Sequence, residues 1–365
     1  MKLRELSSFL EEIAPLSYQE DYDNSGLIVG NQDMELSGAL ISLDCTESVI
    51  DEAIQLGFNL IISHHPIVFK GLKKFNGNSY VERVVMKAIK HDIAIYAIHT
   101  NLDHILQGVN KKICEKLDIR NASILKVKEG LLKKLVTFCP IAAADNVRNA
   151  LFEAGAGMIG NYSECSFNAE GTGTFKAGIG SDPHVGEIGK QHHEAEVRIE
   201  VIYPVNMERV IIASLHAVHP YEEVAYDIYP LTNGFQEVGS GMIGNLESDW
   251  DELEFLKFVK EKLGAKVIRH TELRSKKIRR VAVCGGSGSF LLQNALNAGA
   301  DIFISADFKY HEFFDAEGKL IIADVGHFES EQFTQELLLE LITEKFCNFA
   351  LRLTSQNTNP INYLI

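Results

Sequence analysis

Imidazole and carboxylate side chains recur at three places where an apolar run of the sequence ends. The three pairs are His64 and His65 after NLIIS, His99 and Asp103 after IAIYAI, and His327 and Glu331 after LIIADV. Imidazole nitrogen and carboxylate oxygen are ligands for zinc, iron, manganese and nickel. More than four candidate ligands favour two metals roughly 3.5–4 Å apart, as in two-metal hydrolytic sites, with Glu331 able to bridge them.

Each pair taken alone has an ordinary explanation. A single histidine is more often a surface or core residue than a ligand. The spacing of His99 and Asp103 also suits a hydrogen bond on the surface of a helix. The same spacing returns in His327 and Glu331 after another predicted strand. This joint occurrence favours the metal site over the ordinary explanation.

The elements that must position these side chains alternate between strand and helix in the first 127 residues. Predicted strands cover 38–44, 59–66 and 93–100, and predicted helices cover 47–56, 80–90 and 106–117. Short, almost wholly apolar strands that alternate with helices predict a largely parallel sheet buried on both faces. Ligands bind beyond the carboxyl ends of the strands in such sheets, which is where the candidate ligands lie.

The last segment, 235–365, repeats this pattern. Shifting the numbering by 242 without gaps places NLIIS (59–63) on DIFIS (301–305), and LISL (40–43) on AVCG (282–285). We therefore predict an α/β fold in which two related halves, 1–127 and 235–365, form one metal-binding domain. Internal similarity of this kind often places a shared site between the halves.

Residues 128–234 follow a different order and predict a separate α+β insert. The strand LLKKLVTFCP and the helix 145–156 precede a glycine-rich stretch, after which come the strand 194–204, the helix 207–218 and the strand 225–231. This order is ferredoxin-like. His192 and His193 have no matched carboxylate partner, which favours a solvated loop. The segment HPYEE (219–223) is predicted to have a structural or interface role.

Two further segments could contact a substrate. The glycine-rich sequence of Gly285, Gly286, Ser287 and Gly288 is predicted to lie between a strand and a helix that begins near Phe290. Its N–H groups could bind an anion at that helix, or the sequence could simply form a tight turn.

The second segment follows the strand that matches NLIIS. Asp307, Lys309, Tyr310 and His311 either line the cleft there or lie in a solvated loop. The same two interpretations apply to the early loop DYDNSG, with its Asp23, Asn24 and Gly26.

The composition excludes several classes of protein. The 365 residues carry a formal net charge of −15, which argues against a nucleic-acid or acidic-membrane binder. No apolar run reaches the length of about 18 residues that a membrane helix needs, and the charged N-terminal segment is unlike a signal peptide. The six cysteines form no Cys-x-x-Cys pair, so neither a zinc ribbon nor a disulfide framework is indicated. These features predict a cytoplasmic protein.

The chain resembles the Nif-three-like family, whose members are named GTP cyclohydrolase I type 2 homologues. The motifs that carry the resemblance are DNSGLIVG (23–30), SLD (42–44), IISHHP (61–66), HTNLD (99–103), GGSG (285–288), ADFKYHE (306–312) and DVGHFESE (324–331). The insert is similar to the CutA/PII-like domain of the longer bacterial members, with HPYEE (219–223) and AYDIYPL (225–231) as its clearest signatures.

The resemblance implies a dinuclear centre with two divalent metal ions per chain, zinc first among them. Its ligands would be His64, His65, Asp103, His327 and Glu331, with Glu331 touching both metals. His99 would be either a further ligand or a proton carrier beside the metals. The family also implies a homo-oligomer, a hexamer whose metal sites face an internal cavity.

Two functions from different classes are compatible with these residues. The first is a metal-dependent hydrolase of a nucleotide-like small molecule, with GTP ring opening as the reaction that the family name suggests. His99 or His311 would then carry protons. The glycine-rich sequence 285–288 and Lys309 would hold the triphosphate. The second is a non-catalytic protein for metal storage, metal delivery or a regulatory scaffold.

Overall fold

The computed structural model describes residues 1–364. Its strands are β1 (Gly26–Val29), β2 (Ala39–Ser42), β3 (Leu60–Ser63), β4 (Ala94–Ala97), β5 (Arg120–Lys128), β6 (Leu132–Pro140), β7 (Phe167–Lys176), β8 (Gln191–Pro204), β9 (Tyr226–Leu231), β10 (Phe235–Asp251), β11 (Arg269–His270), β12 (Lys277–Ser287), β13 (Ile302–Ala306), β14 (Ile321–Asp324) and β15 (Leu351–Leu353).

The helices are α1 (Leu3–Ile13), α2 (Glu47–Leu56), α3 (Tyr80–Lys90), α4 (Thr100–His104), α5 (Val109–Lys116), α6 (Ala144–Glu153), α7 (Glu208–Val218), α8 (Glu252–Lys262), α9 (Leu292–Asn297), α10 (His327–Glu331) and α11 (Thr334–Lys345). The chain divides into two compact units. Met1–Val127 and Glu237–Ile365 form one, called here the flanking unit, and Lys128–Gln236 forms the inserted unit. None of the described helices is both long and apolar enough to cross a membrane.

The first sheet of the flanking unit has the strand order β1-β4-β3-β2-β15. Strands β15, β2, β3 and β4 run parallel, and β1 is antiparallel to β4. Every residue of β2, β3 and β4 is buried, as their apolar sequences predict. Ser63 at the end of β3 pairs with Ala97 at the end of β4. The residues that follow these two strands therefore meet at one edge of the sheet.

The second sheet of the flanking unit has the order β11-β14-β13-β12-β10-β5. Strands β12, β13 and β14 are parallel, and the end of β13 pairs with the end of β14 through Ser305 and Asp324. Helix α10 begins at His327, directly beyond this edge. Both sheets thus contain three neighbouring parallel strands in the reverse of their chain order, β4-β3-β2 in one and β14-β13-β12 in the other.

The inserted unit contains one antiparallel sheet, β7-β8-β6-β9, with α6 after its first strand and α7 after its third. Its core includes Leu135, Val147, Ile199 and Leu215 from the strands β6 and β8 and from both helices. Strand β7 of this sheet was not predicted, because it contains Gly171 and Gly173 and its sequence is rich in glycine. The ten residues of β7 pair with β8, and this pairing overrides the low strand propensity of glycine.

Two predicted boundaries in the flanking unit were wrong. The predicted helix 106–117 begins only at Val109, as α5, and the short helix α4 before it was not predicted; between the two, Ile105 is extended and pairs with Val238. The predicted loop that contains Gly285, Gly286 and Ser287 is the end of strand β12, and α9 begins only at Leu292. Both differences bear on the candidate site, because α4 carries Asp103 and the end of β12 lies against Glu331.

Candidate metal centre

The six candidate ligands come together at the carboxyl ends of β3, β4 and β14. They are His64 and His65 directly after β3, His99 and Asp103 at the start and within α4, and His327 and Glu331 at the two ends of α10. Three groups of potential ligand atoms lie within 4.8 Å of one another: His64, His65 and His99; His65, His327 and Glu331; and His64, Asp103 and Glu331. The structure therefore brings together distant residues such as His65 and Glu331, which are 266 positions apart in the sequence.

Glu331 lies at the centre of this arrangement. Its Oε2 is 3.0 Å from Nε2 of His65 and 3.0 Å from Nε2 of His327. Its Oε1 is 3.9 Å from Nε2 of His64, and that nitrogen is 3.6 Å from Oδ1 of Asp103. The two groups that contain Glu331 are called here the first triad (His64, Asp103, Glu331) and the second triad (His65, His327, Glu331). They share only this carboxylate.

The donor atoms of the first triad fit a metal cation. Nε2 of His64 and Oδ1 of Asp103 are buried and have no hydrogen-bond partner. Leaving such atoms unpaired costs about 1–3 kcal/mol each, so native proteins rarely do so without a reason. A cation bound between this nitrogen and this oxygen would satisfy both atoms. The mixture of nitrogen and oxygen donors suits zinc and the neighbouring divalent transition metals.

The other ring nitrogen of each histidine is held by an acceptor. Nδ1 lies 2.8 Å from Asp44 in His65, 2.8 Å from Asp23 in His99, 2.7 Å from Asp307 in His327, and 2.8 Å from the Ile98 carbonyl in His64. Such contacts fix the tautomer and the ring orientation of a metal-binding histidine and raise its basicity. All four rings are thereby held in the orientation that a metal ligand requires.

The same carboxylates control the protonation of the histidines. Burial lowers the pKa of His65, but Asp44 and Glu331 outweigh burial and raise it to about 9. Burial also opposes protonation of His327, yet Glu331 and Asp307 raise its pKa to about 11. A divalent cation would replace these protons as the positive charge beside Glu331.

The carboxyl groups respond differently to their burial. Burial raises the pKa of Asp103, and the nearby Glu331 adds to this rise. Burial acts on Glu331 in the same direction, but His327 and the other histidines hold the pKa of Glu331 well below its usual range. The hydrogen bonds from His99 and Thr100 likewise outweigh burial and lower the pKa of Asp23. The centre therefore keeps negative charge at Glu331 and Asp23.

The glycines that we predicted to bind a phosphate have other partners. The Gly285 N–H donates to Oδ1 of Asn110, and the Gly286 N–H donates to Oγ of Ser330. Gly286 has a φ of 61°, and a Cβ there would lie 2.2 Å from Oε1 of Glu331. These residues give Glu331 room to approach, and their N–H groups are already occupied. Their geometry does not fit the predicted anion site.

The remaining predicted substrate residues divide into two groups. Ser287 lines the cleft, whereas a Cβ at Gly288 would lie 2.3 Å from Oγ of Ser305, so this glycine has a packing role. Lys309 and His311 are exposed and are not among the described residues that line the cleft. The ring of His311 makes an edge-to-face contact on the surface with that of Tyr310, with the centroids 5.1 Å apart. The structure gives neither residue a place in the candidate site.

A cleft of about 730 Å³ opens onto the second triad, His99 and Asp103. Its aromatic lining residues are Tyr22, Phe69, Tyr80, Phe290 and Phe328, and its amide side chains are Asn110 and Asn359. This volume suits a small organic molecule, and aromatic faces suit a flat ring. Among the described lining residues there is no lysine and no arginine.

Sequence analysis missed two parts of the site. Asp44 belongs to the motif SLD (42–44) and was not predicted to contact the histidines, although its position after β2 places it at the same edge of the sheet. Thr358 donates to Oδ2 of Asp44 at 2.7 Å, and the segment 358–361 lines the cleft. Nothing in the local sequence of this segment indicates that it reaches the site.

Comparisons with known proteins cover the whole chain. A family model described as Duf34/NIF3 (NGG1p interacting factor 3) matches residues 1–360. A GTP cyclohydrolase 1 type 2 homolog of Bacillus subtilis (strain 168) is 36% identical over 371 residues, covering 99% of this chain and 98% of the relative. A protein with the same name from Halalkalibacterium halodurans is 39% identical over 360 residues, covering 97% of this chain and 96% of the relative.

A solved structure is similar over the same extent. The crystal structure of a Bacillus cereus protein related to NIF3 is 39% identical and has a TM-score of 0.85. The alignment covers 100% of this chain and 99% of that chain.

Proposed function

The chain belongs to the Duf34/NIF3 family, as its motifs predicted, and we propose that it binds two divalent metal ions and uses them to hydrolyse a nucleotide-like small molecule. The observation that carries the proposal is the sharing of Glu331 by the two triads. Each triad supplies three donor atoms, and the shared carboxylate has one oxygen near each triad's histidines. This is the arrangement that a pair of bridged metals requires.

The proposed ligands are the five residues of the two triads: His64, Asp103, His65, His327 and Glu331. Zinc is the first candidate metal, with iron, manganese and nickel as alternatives that the same donors admit. Bound divalent ions of this kind lower the pKa of water toward ~7 and polarise a substrate oxygen or nitrogen.

His99 is proposed to carry a proton beside the metals. Its ring centroid lies 5.2 Å from that of His64 and 5.3 Å from that of His65, so it stands next to both triads. Asp23 holds its Nδ1, which leaves Nε2 on the cleft side. Neither triad needs His99 to complete its three donors. An imidazole in this position can pass a proton to or from a substrate in the cleft.

The cleft supports a heterocyclic substrate. Tyr22, Phe69 and Tyr80 offer aromatic faces for a flat ring beside the second triad. The lining supports the base of a nucleotide more clearly than its phosphates, because the described lining has no cationic side chain besides histidine.

The test uses metal-loaded full-length protein and GTP. We expect turnover that disappears, together with the bound metal, in the double variant His64→Ala/His65→Ala. His311→Ala is the matched control, since this histidine is exposed and outside the cleft. This variant should keep both the turnover and the bound metal. Turnover that persists in the metal-free double variant would contradict the proposal.

A non-catalytic role in metal storage or delivery is the second candidate. It is favoured by the lack of lysine and arginine in the described lining, since enzymes usually hold a triphosphate with such residues. Full metal occupancy without turnover of GTP, guanosine or other purine compounds would select this role over the hydrolase.

We further propose a cytoplasmic homohexamer in which 128–234 is a CutA/PII-like insert and 1–127 and 235–365 are related halves. The strand order β7-β8-β6-β9 with two crossover helices supports the ferredoxin-like insert. The matching trios of parallel strands, β2 to β4 and β12 to β14, support the related halves. Light scattering of the purified protein would test the hexamer.

A further inference from the structure

The inserted unit contains a second cavity, of about 720 Å³, that the proposed function does not use. It lies on the face of the sheet opposite the unit's core. Residues Val197 and Ile199 of β8 point into that core, so Glu196 and Arg198 point to the other face. The size is typical of sites for small organic molecules.

Glycines in β7 keep this cavity open. Gly171 pairs directly with Glu196, and Gly173 lies two residues further along the same face. A Cβ at Gly173 would be 2.0 Å from Oε2 of Glu196, so any other residue there would displace this carboxylate. A Cβ at Gly171 would meet no atom within 4 Å, which marks open space above the strand.

A carboxylate and three aromatic rings meet in this cavity. The hydroxyl of Tyr221 donates to Oε1 of Glu196 at 2.7 Å. The ring centroid of Tyr221 lies 6.4 Å from that of Phe175 and 6.2 Å from that of His184, with the planes tilted by 55° and 53°. The rings therefore form an open corner beside the carboxylate. Oε2 of Glu196 accepts no hydrogen bond from the described residues.

The charges around this corner are predominantly negative. Glu170, Glu222 and Glu223 also line the cavity, against the two cations Lys176 and Arg198. Arg198 is already paired with Glu200 at 2.9 Å. Lys176 lies five residues along β7 from the residue opposite Glu196, which is roughly 17 Å in a strand.

We propose that this cavity binds a small organic ammonium ion. The ammonium group would lie in the corner formed by Tyr221 and Phe175, where aromatic faces attract a cation. Glu196 would supply the opposite charge through Oε2. Recognition of an amine by aromatic faces next to a carboxylate needs no further cation, and the nearby Arg198 is paired with Glu200. An anion such as phosphate would instead enter a cavity that Glu196, Glu222 and Glu223 line.

The experiment measures binding of defined probes to the full-length protein. Tetramethylammonium and spermidine are the cationic probes, and sodium phosphate is the anionic probe, each followed by saturation-transfer NMR and calorimetry. We expect saturable binding of the ammonium probes and about tenfold weaker binding in Glu196→Gln, because the charge is lost while the shape is kept. Glu129→Gln is the control, since Glu129 is exposed and outside the cavity.

A second variant keeps the proposal testable if Glu196→Gln does not fold. Gly171→Leu fills the cavity from a position with open space, so it should abolish probe binding while the circular dichroism spectrum stays unchanged. Absence of saturable ammonium binding to the wild type, tighter binding of phosphate, or equal affinity in Glu196→Gln would each overturn the proposal. Metal content should be unchanged in all these variants, which separates this site from the metal centre.

Discussion

The two sheets of the flanking unit contain the same trio of parallel strands, but they supply different chemistry at corresponding positions. Strand β3 ends in Ser63 and is followed by two histidines that face the triads. Strand β13 corresponds to it, yet Asp307 after this strand accepts a hydrogen bond from His327 instead of joining a triad. One strand end thus provides proposed ligands, and its counterpart provides a side chain that holds another proposed ligand.

The two sheets contribute different residues to the two triads. The first sheet supplies three of the five triad residues, and the second supplies His327 and the shared Glu331. Neither sheet completes a triad alone. Metal binding should therefore join two segments that are distant in sequence. The free energy of unfolding should rise with the logarithm of the metal concentration once that concentration exceeds the Kd of the metal.

The largest expected effect is the loss of the shared ligand. Glu331→Gln keeps the shape of the side chain and removes the charge that both triads use. We expect near-complete loss of one metal and weakened binding of the other, measured as metal per chain after dialysis. Glu329→Gln is the matched control on the same short helix, because Glu329 accepts from Asn359 and belongs to neither triad. Full occupancy in Glu331→Gln would remove the bridging role.

The pH dependence of metal binding should distinguish His65 of the first sheet from His327 of the second. His65 from the first sheet has a pKa of about 9, and His327 from the second a pKa of about 11. Near pH 7.5 both are protonated in the metal-free protein, so binding should release about two protons and the affinity should rise ~100-fold per pH unit. Above pH 9 the release should fall toward one proton, since only His327 remains protonated. Calorimetry in buffers of different ionisation enthalpy measures this count.

The same pKa values determine whether the stability of the metal-free protein rises or falls with pH. Both folded-state values lie above the value of about 6.5 for an unfolded histidine. Their contribution to stability is fully present below that pH and is lost as the pH rises through 9 and then 11. The unfolding midpoint of the metal-free protein should therefore fall across this range. A midpoint that rises with pH would contradict the assigned protonation.

A smaller effect should come from the supporting carboxylates. Asp44→Asn removes the charge that holds His65, and Asp307→Asn does the same for His327. We expect each to weaken metal binding by about 10–100-fold. The Asp44 side chain is also held by Thr358, whereas Asp307 is half exposed, so Asp44→Asn should have the larger effect. Competition with a chelator of known affinity would compare them, and equal effects would argue against a role for Thr358.

The candidate ligands could be identified from the sequence because their positions follow local rules. An apolar strand that ends in His64 and His65 places these residues at a sheet edge whatever the rest of the chain does. The exposed position of Lys309 and the partners of Gly285 could not be predicted in this way. They depend on Glu312 and Asn110, which only the folded chain brings near, and strand β12 continues three residues further than its sequence indicates.

The same distinction applies to the fold. The predicted helix 47–56 matches α2, whose ends are set locally: Thr46 accepts from the Val49 N–H at its start, and Gly57 ends it with a φ of 69°. Strand β7 was missed because its glycines carry no strand signal and only the partner strand β8 defines it. The sequence therefore predicts an element such as α2, whose caps are local, but not one such as β7, which depends on pairing with a distant strand.

The smallest expected effect concerns the inserted unit. Deleting 128–234 and joining the flanks with a short linker should leave metal content unchanged, because every triad residue lies in the flanking unit. The closure is feasible, since β5 and β10 are neighbours in one sheet and a Cβ at Gly239 would lie 2.1 Å from the Lys126 carbonyl oxygen. Metal per chain and circular dichroism of the shortened protein test this together. A folded protein that has lost its metal would show that the triads need residues outside the two sheets compared here, and the division of ligands between those sheets would then be incomplete.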